Sequence, residues 1–179
     1  MKGRIVHITQ SILSRPASLL AALGLYLVLS AAAAAADIEC RMSMPAKVTT
    51  KGNIALTFEL VNKTKQTYNI LNWDTPYEGF YGPYLQITGA GGEVDYRGRV
   101  VKRATPTREE YVSIKRGEKL AVTVNLAPVY DFKARGKYEV VFAGKLFDAT
   151  TEKIPRSYEL RTAMTVECAP VSFEYLVGK

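Results

Sequence analysis

Nine residues, Leu71-Asn72-Trp73-Asp74-Thr75-Pro76-Tyr77-Glu78-Gly79, gather the only tryptophan of the chain, two carboxylates, a Thr-Pro step and a closing glycine. Proline fixes its own φ and drives the residue before it into extended backbone, so Thr75-Pro76 stiffens the stretch. Two readings fit. In one, the stretch is a turn whose Trp73 plugs the end of a β-rich core. In the other it is a rigid recognition loop: Trp73 and Tyr77 are of the type that dominates interface energetics, and a stiff Thr75-Pro76 step loses little entropy on docking. Asp74 and Glu78 add charge to that loop. A second concentration, Arg97-Gly98-Arg99-Val100-Val101-Lys102-Arg103, is either a solvated edge strand guarded by its cations or a docking surface. In the latter, Arg97, Arg99, Lys102 and Arg103 would meet an acidic partner.

Most catalytic chemistry is excluded by what is missing. The single histidine, His7, lies in the leader described below. A Ser-His-acid triad, a Cys-His pair and an ordinary zinc site all need imidazole. No stretch arranges two carboxylates for hydrolysis. The two cysteines, Cys40 and Cys168, stand near the ends of the remaining chain and read as one disulfide in an exported protein. That bond also removes the only thiol nucleophile. No catalytic residue, cofactor or resident metal is expected.

The first 36 residues read as a signal peptide: Lys2, Arg4 and Arg15 form a basic leader, Leu19 to Leu29 an apolar run, and Ala31 to Ala36 a small-residue exit. Cleavage is placed after Ala36. A retained membrane anchor is the competing reading, since Leu19 to Ala36 is about long enough to span. Without the leader the 179-residue chain retains 143 residues, 37–179, a size suited to one domain. Three of its 24 basic and none of its 17 acidic residues fall in the leader, leaving 21 against 17, or +4. That charge is too mild for a nucleic-acid binder. The expectation is a secreted or periplasmic domain with no membrane contact after processing.

The elements that must position these residues read as short strands joined by turns. Ile54, Leu56, Phe58 and Leu60 alternate with Ala55, Thr57, Glu59 and Val61, the period-2 pattern of a half-buried strand. Further strands are expected over Ile38–Met44, Thr67–Leu71, Tyr84–Thr88, Glu93–Tyr96, Glu110–Ile114, Leu120–Leu126, Glu139–Phe142 and Tyr158–Cys168. An irregular crossing is expected over Leu146–Pro155 and a short tail after Ala169-Pro170. Asn62-Lys63-Thr64 matches a glycosylation sequon. Asp131 ahead of Gly136 and Tyr138 resembles the corner that closes immunoglobulin-like sandwiches, where the tyrosine hydroxyl bonds nearby backbone. The whole reads as an all-β, immunoglobulin-like antiparallel β-sandwich of about eight or nine strands with one disulfide.

Taken in order, Leu71-Asn72-Trp73-Asp74-Thr75-Pro76 with Glu78-Gly79, Val94-Asp95-Tyr96-Arg97-Gly98 running into Val101-Lys102-Arg103, Glu110-Tyr111-Val112, Lys115-Arg116-Gly117-Glu118, and Tyr130-Asp131 with Gly136-Lys137-Tyr138 resemble the prodomain of deuterolysin-type zinc metallopeptidases. The resemblance runs from Leu56 to Phe142. The family pattern has asparagine and leucine where this chain has Asp74 and Tyr77. The resemblance implies an immunoglobulin-like domain that keeps a peptidase inactive or helps it fold. Because the His-Glu-x-x-His motif is absent, the expectation is a prodomain standing alone, not an enzyme, whose partner is an exported metallopeptidase. Trp73 and Tyr77 would anchor the loop, and Asp74 or Glu78 would approach the partner's zinc. An exported adhesion, carbohydrate-binding or envelope-assembly module on the same sandwich is the alternative.

Overall fold

The computed structural model describes residues 37–49, 52–151, 154 and 163–176. The chain divides into two units, Met1–Ala34 and Ala35–Lys179, and every described residue belongs to the second. The expected leader lies outside the described residues, as does the stretch 155–162 that contains the first five residues of the expected strand Tyr158–Cys168.

The described residues are mostly β. Three sheets form: β1 (Ile38–Ser43), β3 (Ala55–Asn62) and β8 (Lys119–Asn125) in the order β1-β3-β8; β4 (Tyr68–Leu71), β7 (Tyr111–Ile114), β10 (Leu146–Thr150) and β11 (Ala163–Met164) in the order β11-β10-β4-β7; and β2 (Lys47–Val48), β5 (Leu85–Gly89), β6 (Gly92–Glu93), β9 (Gly136–Phe142) and β12 (Val171–Tyr175) in the order β2-β12-β9-β5-β6. Strand pairing is antiparallel except between β2 and β12, which run parallel, as does the isolated bridge of Cys40 with Cys168.

Alternation explains the strand at the centre of the first sheet. Leu56, Phe58 and Leu60 of β3 are wholly buried while Thr57 and Glu59 are not, because successive strand side chains point to opposite faces. A register without slips joins β3 to β8 over Ala55↔Asn125 to Val61↔Lys119. Side chains from all three sheets, among them Phe58, Ile70, Ile87, Val140, Leu146 and Phe173, join one apolar cluster. Cys40 and Cys168 are disulfide-bonded across 128 residues. Tyr138 Oη donates to the Ala134 carbonyl at 2.7 Å, which is the backbone bond expected of the tyrosine corner.

Several expectations are corrected. The basic ribbon is not an edge strand: residues 97–107 contain no strand, and the chain there is tied by Arg97 N–H to the Val129 carbonyl (2.7 Å) and Val101 N–H to the Tyr81 carbonyl (3.2 Å). The expected hairpin return Glu93–Tyr96 is a strand only at Gly92–Glu93, with Tyr96 in a lone bridge to Tyr130. Leu146–Thr150, expected to be irregular, is β10. Its pairing with β4 slips between Phe147 and Thr150, where Asp148 takes the left-handed φ of 47° and accepts the Tyr111 hydroxyl at 3.0 Å. A bulge breaks the alternation that would have marked it. Of the expected strand Tyr158–Cys168, the described residues 163–168 form strand only at Ala163–Met164, whereas the tail carries β12, whose Phe173 and Tyr175 are buried. The sequon does not present its asparagine: Asn62 is buried, and its Nδ2 donates to the Gln66 and Ile114 carbonyls at 2.7 and 2.8 Å.

Candidate functional site

The tryptophan stretch leaves β4 and turns through a short 3-10 segment, Pro76–Glu78. Thr75 is in extended backbone, as the residue before proline should be, and its hydroxyl donates to the Asn72 carbonyl at 2.6 Å. Pro76 takes the first position, where its missing N–H costs nothing. Asp74 sits at φ 55°, a conformation asparagine and aspartate tolerate better than most residues, and its N–H donates to Glu78 Oε1 at 2.7 Å. The Tyr77 hydroxyl lies between strands, accepting from Leu60 N–H at 3.1 Å and donating to the Leu120 carbonyl at 2.6 Å.

Trp73 is 4% exposed and packs with Leu71 and Tyr111 in a second apolar cluster flanked by Phe147. Its indole N–H donates to Glu110 Oε1 at 2.8 Å, while Glu110 Oε2 accepts Thr107 N–H at 2.6 Å. Arg103 reaches across from the former ribbon: its guanidinium lies over the Trp73 ring and pairs with Glu78. Burial raises the Glu78 carboxyl above its ordinary value, and this outweighs the Asp74 N–H and the Arg103 guanidinium, which pull it down. Burial acts on Glu110 in the same sense, but there the bonds from Thr107 and Trp73 prevail and the carboxyl is held below its ordinary value.

Between the two segments lies an open cleft of about 460 Å³. Asn72, Tyr77, Glu78, Tyr81, Val101, Arg103 and Glu110 form its wall. Asn72 Oδ1 is buried on that wall with no donor among the described residues. At the surface beside it stand Tyr81, Val100 and Val101, the exposed large hydrophobic residues of the described chain.

The structure therefore joins the two stretches that the sequence nominated. Trp73, Thr75 and Pro76 are buried, and the Glu78 side chain is 6% exposed. Asp74 keeps 43% of its side chain open, beside Arg103 at 3.9 Å. Tyr77 is half-buried. The reading in which Trp73 plugs a core end matches this geometry, and an exposed indole anchor does not. Arg97 is set apart, paired with Asp131. Arg99 and Lys102 are exposed and make no ion pair among the described residues. Glu110 went unrecognised as a site residue although Thr107-Arg108-Glu109-Glu110 carries a capping-box spacing. Asn72, Tyr81 and Val101 bore no signal of their own, since only folding brings them to one cleft.

No protein-family profile matches the chain. An extracellular protease from Aeromonas hydrophila is 31% identical over 113 residues, 63% of this chain and 32% of the protease. The chain thus matches about a third of that protein's length. An alkylpurine DNA glycosylase from Pseudomonas fluorescens, solved on DNA containing an abasic-site analogue, shares 12% identity over 79% of this chain and 31% of its own, with a TM-score of 0.30. A β-glucosidase from Listeria innocua solved with isofagomine shares 16% identity over 73% and 16%, with a TM-score of 0.29. Neither of these two likenesses carries an argument. The disulfide and the extracellular relative agree with an extracellular location. Among the described residues no helix is long and apolar enough to cross a membrane.

Proposed function

We propose that this protein is an exported, non-catalytic protease-associated domain that binds a secreted metallopeptidase of the deuterolysin type, as a prodomain-like inhibitor or folding partner. One observation carries the reading: 113 residues of the chain match about a third of an extracellular protease at 31% identity. The finer fold reading, an immunoglobulin-like sandwich, draws support from the Tyr138–Ala134 bond and from the single apolar cluster shared by the three sheets.

In this reading the contact surface is the rim of the cleft. Asp74, Arg99 and Lys102 supply charge toward the partner, Tyr81 and Val101 supply apolar area, and Trp73 with Glu78 and Arg103 holds the loop in shape. Charge at a rim mainly raises the rate and selectivity of encounter, whereas the desolvated apolar centre holds the complex. The carbohydrate-binding alternative calls for a row of exposed aromatic rings, and among the described residues Tyr81 is the aromatic ring that stands open.

The test is to titrate the processed protein into purified deuterolysin-type peptidase, and separately into that peptidase during refolding. The expected result is saturable inhibition or a higher refolding yield, with a complex seen by gel filtration at micromolar concentration. Absence of all three would overturn the reading.

A further inference from the structure

The three sheets end on different kinds of edge. The strands β2, β6 and β11 that end two of them are two residues long, β7 is four, and β1 is bridged at Cys40 by Cys168. Strand β8 is the exception: seven residues, Lys119 to Asn125, end the first sheet with β3 as the one strand paired to it among the described residues.

The phase of the ladder fixes which backbone groups of β8 face outward. Asn62 N–H donates to the Glu118 carbonyl at 3.0 Å and Leu126 N–H to the Ile54 carbonyl at 2.9 Å. In an antiparallel ladder the bonded pairs recur every second residue. Glu118, Leu120, Val122, Val124 and Leu126 therefore turn their groups toward β3. Lys119, Ala121 and Thr123 turn theirs away, and no backbone or side-chain partner for the N–H and C=O of Ala121 and Thr123 occurs among the described residues.

Edges left open in a folded protein are commonly blunted by proline, a bulge, inward charges or several lysines. Strand β8 has none of the first three and one lysine, at its very start, whose Nζ already holds Glu59 at 3.0 Å. The outward face beyond it carries the small side chains of Ala121 and Thr123. On the core side Leu120, Val122 and Val124 are half-buried, although their β3 neighbours Leu60, Phe58 and Leu56 are fully covered.

We propose that β8 pairs antiparallel with β8 of a second copy, about a two-fold axis at Val122, to give a continuous six-stranded sheet. In that register Ala121 faces Thr123 of the second copy in a bonded pair, which matches the phase derived above. Lys119 falls opposite Asn125, so no like charges meet. Leu120 faces Val124 on the core side, continuing the half-buried row across the axis. Such an isologous contact uses one patch on both copies and closes on itself. It is independent of the peptidase reading, since it needs no other protein.

Sedimentation equilibrium of the processed, disulfide-intact protein from roughly 1 to 500 µM is the test, a range that brackets a small edge-to-edge contact. The expected result is a weight-average mass rising toward twice that of the monomer. A121K/T123K and A121E/T123E should each be monomeric, because like charges then stand directly opposite, and their equimolar mixture should regain the dimer. A wild type that stays monomeric throughout, a lysine variant as dimeric as wild type, or a mixture that fails to associate would each overturn the proposal.

Discussion

The Arg103 guanidinium carbon lies 4.8 Å from the centroid of the Trp73 ring. The same guanidinium pairs with Glu78, whose Oε1 also accepts Asp74 N–H. One cation thus covers the buried indole on its outer face and neutralises a carboxylate that the turn needs for its own backbone. Cation–π contact of this kind contributes about 0.5–2 kcal/mol, more as it is desolvated.

Trp73 is the only tryptophan, so its emission reports on this loop alone. A blue-shifted band protected from acrylamide is expected in the folded state, with a red shift on unfolding. Trp73→Ala should cost about 3–5 kcal/mol in urea denaturation. Trp73→Phe keeps most of the apolar contact but removes the donor to Glu110, and should cost about 1–2 kcal/mol. Strong quenching of the native band would mean that the indole is open to solvent and available to a partner.

Arg103→Ala would leave the Glu78 carboxylate buried without its counter-ion, and should cost about 1–3 kcal/mol at neutral pH. The folded protein holds the Glu78 proton more tightly than the unfolded chain does. The stabilisation from protonating it is therefore complete below the ordinary value of 4.5 and is lost as pH rises through the raised folded value. Removing Arg103 removes a force that lowers this value, so the variant should regain stability on acidification from neutrality over a wider range than wild type. Adding Glu78→Gln should flatten that slope. An unchanged slope in the double variant would assign it to other groups.

Burial holds the hydroxyls of Tyr77, Tyr84 and Tyr130 protonated well beyond the ordinary phenol value of 10. Each is also bonded, Tyr77 to Leu120, Tyr84 to Gly79 and Tyr130 to Leu85. Above pH 10 the unfolded chain loses protons that the folded one keeps, so stability is complete below that pH and falls beyond it. The slope should approach about 1.4 kcal/mol per pH unit for each tyrosine. Tyr130→Phe should make the alkaline fall shallower while lowering stability at pH 7. A denaturation midpoint that does not move between pH 9 and 11 would refute this.

The Cys40–Cys168 bond closes a separation of 128 residues. Cys40→Ser with Cys168→Ser should destabilise by about 2–5 kcal/mol, chiefly by freeing the unfolded chain. The denaturation midpoint with and without reductant should show the same loss, and no loss would place the stabilisation elsewhere.

Local pattern made β3 and β8 legible, because alternation over seven or eight residues is itself the record of one buried face. The Tyr138 corner was equally readable, since its bond spans four residues. The tail strand β12 also carried alternation, in Val171, Phe173 and Tyr175, but a short segment beyond a proline offered too few repeats to weigh. Strand β10 was hidden by the Asp148 bulge, where the period itself breaks. At the site, composition alone removed imidazole from residues 37–179 and nominated both the Trp73 stretch and the basic one. Only the tertiary structure decided that Arg103 leaves its neighbours Arg99 and Lys102 to cover Trp73, and that Glu110, 37 residues away, accepts the hydrogen bond from the indole N–H. Spacing along a chain constrains what a strand or a turn can do. Contacts between distant segments depend on the register of strands that pair across the whole domain.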